Sequence, residues 1–126
     1  MSDSTQNELL LERLIEWGCD VEGTLPRFVG DTGFYCRLLG MVPSESSFDA
    51  LGSALAGGDV RSAFEQAHTL KGVLANMGLT PMYAEASEIV ELLRGGTMSG
   101  TDRLYAELLR QKSHLESLLM DMDASD

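Results

Sequence analysis

Val60–Met77, VRSAFEQAHTLKGVLANM, is the stretch whose reading decides the fold. Val60, Ala63, Ala67, Leu70, Leu74 and Met77 recur at spacings of three, four, three, four and three. Residues three and four apart share one side of an α-helix. The six therefore form an apolar seam of the kind that faces the centre of a helix bundle. Asp59 stands where an N-cap belongs and Gly78 ends the pattern, so the spacing predicts a helix over about residues 60–77.

The same periodicity fixes what that helix shows to water. At 100° per residue, His68 points about 130° from the centre of the seam and should face solvent. Arg61, Phe64, Lys71, Gly72 and Ala75 share its side. A purely solvated face would carry several glutamates and lysines. This one carries an aromatic, a cation one turn after the ring, and two very small residues. Glycine within a helix costs up to ~1 kcal/mol relative to alanine. A sequence that keeps Gly72 there gains access to the backbone beside His68. A neutral imidazole nitrogen is a good nucleophile near neutral pH, so this stripe is the candidate site.

Outward from the seam, the chain reads as further helices separated by glycine and polar turns, with no sustained period-two alternation to suggest a sheet. Thr5 and Glu8 fit a capping box ahead of a helix carrying Leu10, Leu11, Leu14, Ile15 and Trp17, which stops at Gly18. Asp20 would cap a short turn through Phe28. Gly30-Asp31 starts a helix with Phe34, Tyr35, Leu38, Leu39 and Val42. Pro43 and the serine-rich run after it predict a break or kink before Phe48, Leu51 and Leu55, and Ala56-Gly57-Gly58 closes that part. Thr80-Pro81 reads as a cap followed by proline at the first helical position. The helix that follows has Met82, Ala86, Ile89 and Leu93 as its stripe and ends at Gly95-Gly96. Ser99 and Asp102 open a last helix with Leu104, Leu108, Leu115, Leu118 and Met122. Short links between amphipathic helices imply antiparallel neighbours. The fold expected is all-α, an antiparallel up-down four-helix bundle with an additional N-terminal helix. It forms one domain over residues 1–126, with flexible ends at about 1–4 and 121–126.

Composition narrows the function classes. A net charge of −11 repels phosphate backbones and anionic membrane surfaces, which argues against nucleic acid or membrane as partner. No apolar run approaches the ~20 residues that span a bilayer, and the polar N-terminus MSDSTQNE does not read as a signal peptide. Cys19 and Cys36 form no CxxC pair and are too few for a disulfide scaffold, so they read as free thiols of a cytoplasmic protein. His114 lacks the neighbours of a metal site and reads as a helix-surface residue. The seven methionines are scattered like core filler.

Ala67–Gly72, AHTLKG, resembles the phospho-acceptor motif of histidine-containing phosphotransfer (HPt) domains. The resemblance extends over roughly residues 20–94. It takes in Asp20–Leu39, similar to the family's leading segment, then Ala54-Leu55 and Asp59, and then Ala75-Asn76-Met77-Gly78, similar to its small-Asn-apolar-Gly helix end. By that resemblance His68 is the phosphorylated histidine, Lys71 the contact to the phosphoryl group and Gly72 the opening for its approach. Arg61, Phe64 and Ala75 would form the docking rim. Val73 and Leu74 depart from the small residues common in the family, and Val90 stands where many members have a polar residue that supports the histidine. The implied function is that of a free-standing carrier, not an enzyme, relaying phosphoryl groups between receiver-domain aspartates in a two-component phosphorelay. Its partners would be response-regulator receiver domains and a hybrid sensor histidine kinase. The protein would be a cytoplasmic monomer with no cofactor of its own, Mg²⁺ being expected on the receiver. A rival reading is a non-phosphorylated helical adaptor that docks signalling partners, which would have no use for His68, Lys71 and Gly72 together. The HPt module of a chemotaxis-type kinase is a third reading.

Overall fold

The computed structural model describes residues 2–124, with side chains described for 5–121. It is helical, and no strand occurs among the described residues. Among the described residues seven α-helices follow one another: α1 Ser2–Trp17, α2 Val21–Thr24, α3 Thr32–Leu39, α4 Ser46–Ala56, α5 Val60–Asn76, α6 Thr80–Arg94 and α7 Thr101–Ala124. Single 3₁₀ turns at Leu25–Phe28 and Val42–Ser44 lie between them.

The sequence explains most of the boundaries. The carboxylates of Asp20, Asp31 and Asp59 accept hydrogen bonds from the backbone N–H of Gly23, Phe34 and Ser62, capping α2, α3 and α5. Pro43 sits in the 3₁₀ turn that separates α3 from α4, so the chain breaks there. Gly78, with φ +71°, ends α5 in a conformation that favours glycine.

Four boundaries or placements differ from the sequence reading. α1 is already helical at Ser2, which puts Thr5 inside the helix and not at a capping box. The N-cap of α6 is Leu79, without a side-chain bond, so Thr80 is the first helical residue and not the cap. α7 begins at Thr101, two residues after Ser99. Ile15 is 56% exposed and lies off the buried stripe of α1, which is formed by Leu10 and Leu14. Met122 and most of the end segments 1–4 and 121–126 lie outside the residues whose side chains are described.

α4 to α7 form the bundle. α5 packs on both α4 and α6, α6 packs on α7, and α4 touches α7. At 1.5 Å per residue, the eleven residues of α4 span ~16 Å and the twenty-four of α7 span ~36 Å. α4 therefore covers only part of α7, where Tyr105 Oη donates to the Phe48 carbonyl at 2.8 Å. α1 covers the remainder. Trp17 packs edge-on to His114 with ring centres 4.6 Å apart, and Arg13 pairs with Asp121 at 2.9 Å. His114 is thus a surface residue with an aromatic neighbour.

The segment from Asp20 to Leu39 clasps the end of α5. The buried Tyr35 hydroxyl donates to the Met77 carbonyl at 2.7 Å, Arg27 donates to the Ala75 and Asn76 carbonyls at 3.1 Å, and the Asp20 N–H donates to Gly78 at 2.9 Å. These bonds satisfy carbonyls that a helix C-terminus leaves free. The same segment contains Val29, 94% exposed and at φ +55°. A β-branched residue in the left-handed region is strained, and Val29 contributes no burial to offset that cost. Val29→Gly is expected to raise stability by about 1 kcal/mol, seen as a higher melting temperature. An unchanged or lower one would show that Val29 is not a strained position.

Cys19 and Cys36 are both free and both buried. Burial pushes the Cys19 thiol up from 9.0 to about 12, with a backbone hydrogen bond involving Thr80 opposing the shift. Burial alone pushes Cys36 up to about 11. Burial also raises the Tyr35 hydroxyl above its ordinary range. Raised folded-state values mean that the unfolded chain releases protons first. These groups leave stability intact below about pH 9 and erode it as pH climbs toward 11–12. Melting temperatures across pH 7–11 should show that alkaline fall, and Cys19→Ala should flatten it.

Candidate functional site

The rotational setting of α5 decides what the site contains. Ala63, Ala67, Leu70 and Leu74 are fully buried. With that side turned inward, His68 lies exposed on the opposite side, as the 130° estimate requires. Arg61, Gly72 and Ala75 are exposed with it, while Phe64 and Lys71 are half-buried. The structure thus brings every residue of the sequence-derived stripe onto the same helix surface.

The His68 imidazole lies beside the Phe64 ring, with centres 5.9 Å apart and planes tilted by 32°. No hydrogen bond reaches it among the described residues. Lys71 extends toward the Tyr83 ring, its Nζ 6.0 Å from the ring centre. Neither Lys71 nor Arg61 is ion-paired among the described residues, whose three salt bridges lie elsewhere. Both cations are therefore available to an incoming anion. Exposed Glu65, three residues before His68, is the nearest acidic residue on the helix.

Gly72 is open in the sense that matters for access. A Cβ added there would meet nothing within 4 Å. Two other glycines show the contrast. A Cβ at Gly52 would press on the Tyr105 ring, and one at Gly78 would collide with Thr24 and the Asp20 carbonyl. Those two are needed for packing, whereas nothing in the fold needs Gly72.

Two neighbours escaped the sequence reading. Arg94 lies over the Phe64 ring, its Cζ 5.3 Å from the centre, and Tyr83 stands beside Lys71. Both come from α6. Antiparallel pairing about the Gly78-Leu79 turn places residues 93 and 94 near 64, a signal present in the sequence once the hairpin is assumed, whereas Tyr83 meets Lys71 from about one turn away from the position opposite it. Val60, Arg61, Phe64, Leu93 and Arg94 line a shallow groove of about 370 Å³ beside the stripe. A larger groove between α6 and α7, about 610 Å³, shares no residue with it. No three His, Cys, Asp or Glu side chains converge as a metal site among the described residues. Among them no helix is long and apolar enough to cross a membrane.

These features define a four-helix bundle that displays His68 on its outer surface, between two cations, Arg61 and Lys71, that have no ion pair among the described residues, and one turn before an uncrowded glycine. Residues 44–124 match the family model of the Hpt domain, which is more than half of the 126-residue chain. The chain belongs to the histidine-containing phosphotransfer family, whose role is histidine phosphotransfer in phosphorelays. No curated protein and no solved structure gives a significant match. The matched range coincides with α4 to α7 and the turn before them. It excludes the clasp from Asp20 to Leu39, in which the sequence also showed a family likeness.

The two kinds of glycine give a test. Gly72→Gln should keep or raise the melting temperature, by up to ~1 kcal/mol equivalent, since glycine is unfavourable inside a helix. Gly78→Ala should lower it. A Gly72→Gln protein that melts well below wild type would make Gly72 structural and remove the argument for access.

Proposed function

We propose that this protein is a carrier that accepts a phosphoryl group on His68 from a receiver-domain aspartate and returns it to another. The observation that supports this most is the conjunction on one exposed surface of an imidazole, an unpaired Lys71 and a Gly72 with empty space above it. Nε2 of His68 attacks the phosphorus of an aspartyl phosphate. The Nε2–P bond forms, the P–O bond to the aspartyl carboxylate breaks, and the carboxylate leaves as the anion. The proton on Nδ1 stays on the ring. The reverse sequence loads the next aspartate. Lys71 offsets the charge of the phosphoryl oxygens, and Gly72 lets the receiver's loops approach the ring.

Arg61, the exposed edge of Phe64, and Ala75 form the docking rim. The partners are receiver domains of response regulators and a hybrid sensor kinase. Mg²⁺ belongs to the receiver, and the relay runs in the cytoplasm. Among the described residues no side chain hydrogen-bonds to His68 as a base, and its part is that of a substrate-like carrier to which the receiver brings the catalytic groups. An adaptor that only docks partners would gain nothing from an unpaired Lys71 beside an accessible imidazole.

Incubation with a phosphorylated receiver domain and Mg²⁺ should give an acid-labile, base-stable adduct. His68→Gln should abolish it and His114→Gln should leave it unchanged. Lys71→Ala should keep the adduct while slowing its formation or changing its lifetime, with little loss of receiver binding. Labelling that persists in His68→Gln sinks the assignment, and an unlabelled wild type across receivers of the source genome favours the adaptor.

A further inference from the structure

A transferring imidazole must hold its plane so that Nε2 meets phosphorus in line, and a misplacement of ~1 Å can cost about a hundredfold in rate. Hydrogen bonding to the other ring nitrogen is the usual means of fixing a histidine. His68 has no such bond among the described residues. α6 cannot readily supply one. Between its contacts with Phe64 and Lys71, at Arg94 and Tyr83, it carries Val90, which is fully buried and apolar, and Ser87, which lines the groove toward α7.

What does touch the imidazole is a stack. Arg94 lies over Phe64 at 5.3 Å, and Phe64 lies beside His68 at 5.9 Å and 32°. Both separations fall within the range of attractive contacts for their kinds. Each tier is itself held. Phe64 packs against the buried core, and Arg94 is paired with Glu91 at 3.3 Å. The stack therefore joins the imidazole to two anchored groups on two different helices.

Building on the phosphotransfer reading of His68, we propose that Phe64 and Arg94 are positioning residues that hold the His68 ring plane by stacking, in place of a hydrogen bond. Phe64 supplies the flat surface. Arg94, from the end of α6, lies over that ring and limits its rotation. Neither residue touches the phosphoryl group; both act through the orientation of the ring.

The test has two independent readouts. In the free, unphosphorylated protein, proton NMR should show contacts between the ring protons of Phe64 and His68, weakened in Arg94→Gln and retained in Phe64→Tyr. In single-turnover transfer from a phosphorylated receiver at saturating concentration, Phe64→Leu and Arg94→Gln should each lower the rate constant, about tenfold for Phe64→Leu. Phe64→Tyr should restore it to near wild type. Arg94 is exposed, so Arg94→Gln keeps the fold and carries the test even where Phe64→Leu is unstable. A saturated rate that is unchanged in Arg94→Gln, or loss in Phe64→Leu that appears only in receiver affinity, overturns the proposal. Absence of ring contacts in the free wild type does so too. If wild type accepts no phosphoryl group from any receiver, the functional reading fails, and the free-protein spectra still decide whether the stack exists.

Discussion

The seam of α5 is the constraint on which the rest depends. Ala63 and Ala67 let neighbouring helices approach closely, while Leu70 and Leu74 fill the space below them, and all four are fully buried. Rotating α5 by even one residue would place Gln66 or His68 in that interior, where an unpaired polar group costs several kcal/mol. The apolar packing therefore fixes the azimuth of the helix, and with it the exposure of His68. The exposure of His68 is set by burial on the far side of the helix, and among the described residues no hydrogen bond holds its ring. The C-terminal end is fixed separately, by Tyr35, Arg27 and the Asp20 backbone bonding to the last carbonyls and to Gly78.

This division of labour fits a carrier. The site lies on the middle of a helix that is packed against two neighbours, so its backbone is rigid, and its surroundings are shallow and open to a large partner. A cavity would exclude a receiver domain. The protein is acidic overall, yet Arg61, Lys71 and Arg94 stand on or beside the His68 stripe. Local positive charge on an acidic molecule orients an incoming acidic site without attracting polyanions in general.

Much of this was legible in the sequence because it follows from periodicity and from strong local signals. The three-four spacing from Val60 to Met77 gave the seam, and the seam gave the direction of His68. Asp59 and Asp31 announced their helices because a short side chain followed by three free N–H groups has few other uses. Thr5 and Thr80 misled for the same reason. Their side chains fit the capping pattern, but α1 extends further toward the N-terminus, and the α6 turn is set by Gly78 and Leu79. Individual contacts between helices were harder to read. Tyr35 reaching Met77 depends on which elements meet, and no local pattern encodes that, whereas Arg94 reaching Phe64 follows only once the α5–α6 hairpin is assumed. The likeness of Asp20–Leu39 to the family's leading segment was legible as pattern, yet the family match covers only the bundle. The clasp belongs to the way this chain finishes α5.

Phosphorus-31 and proton correlation spectroscopy on the phosphorylated protein tests the central claim most directly, because it names the atom. The account predicts one phosphorus signal, coupled to the ring protons of His68 in the pattern of an Nε2 adduct and unaffected by His114→Gln. Phosphorus bonded to His114, to Nδ1 of His68, or to a residue on another face of the bundle would contradict it.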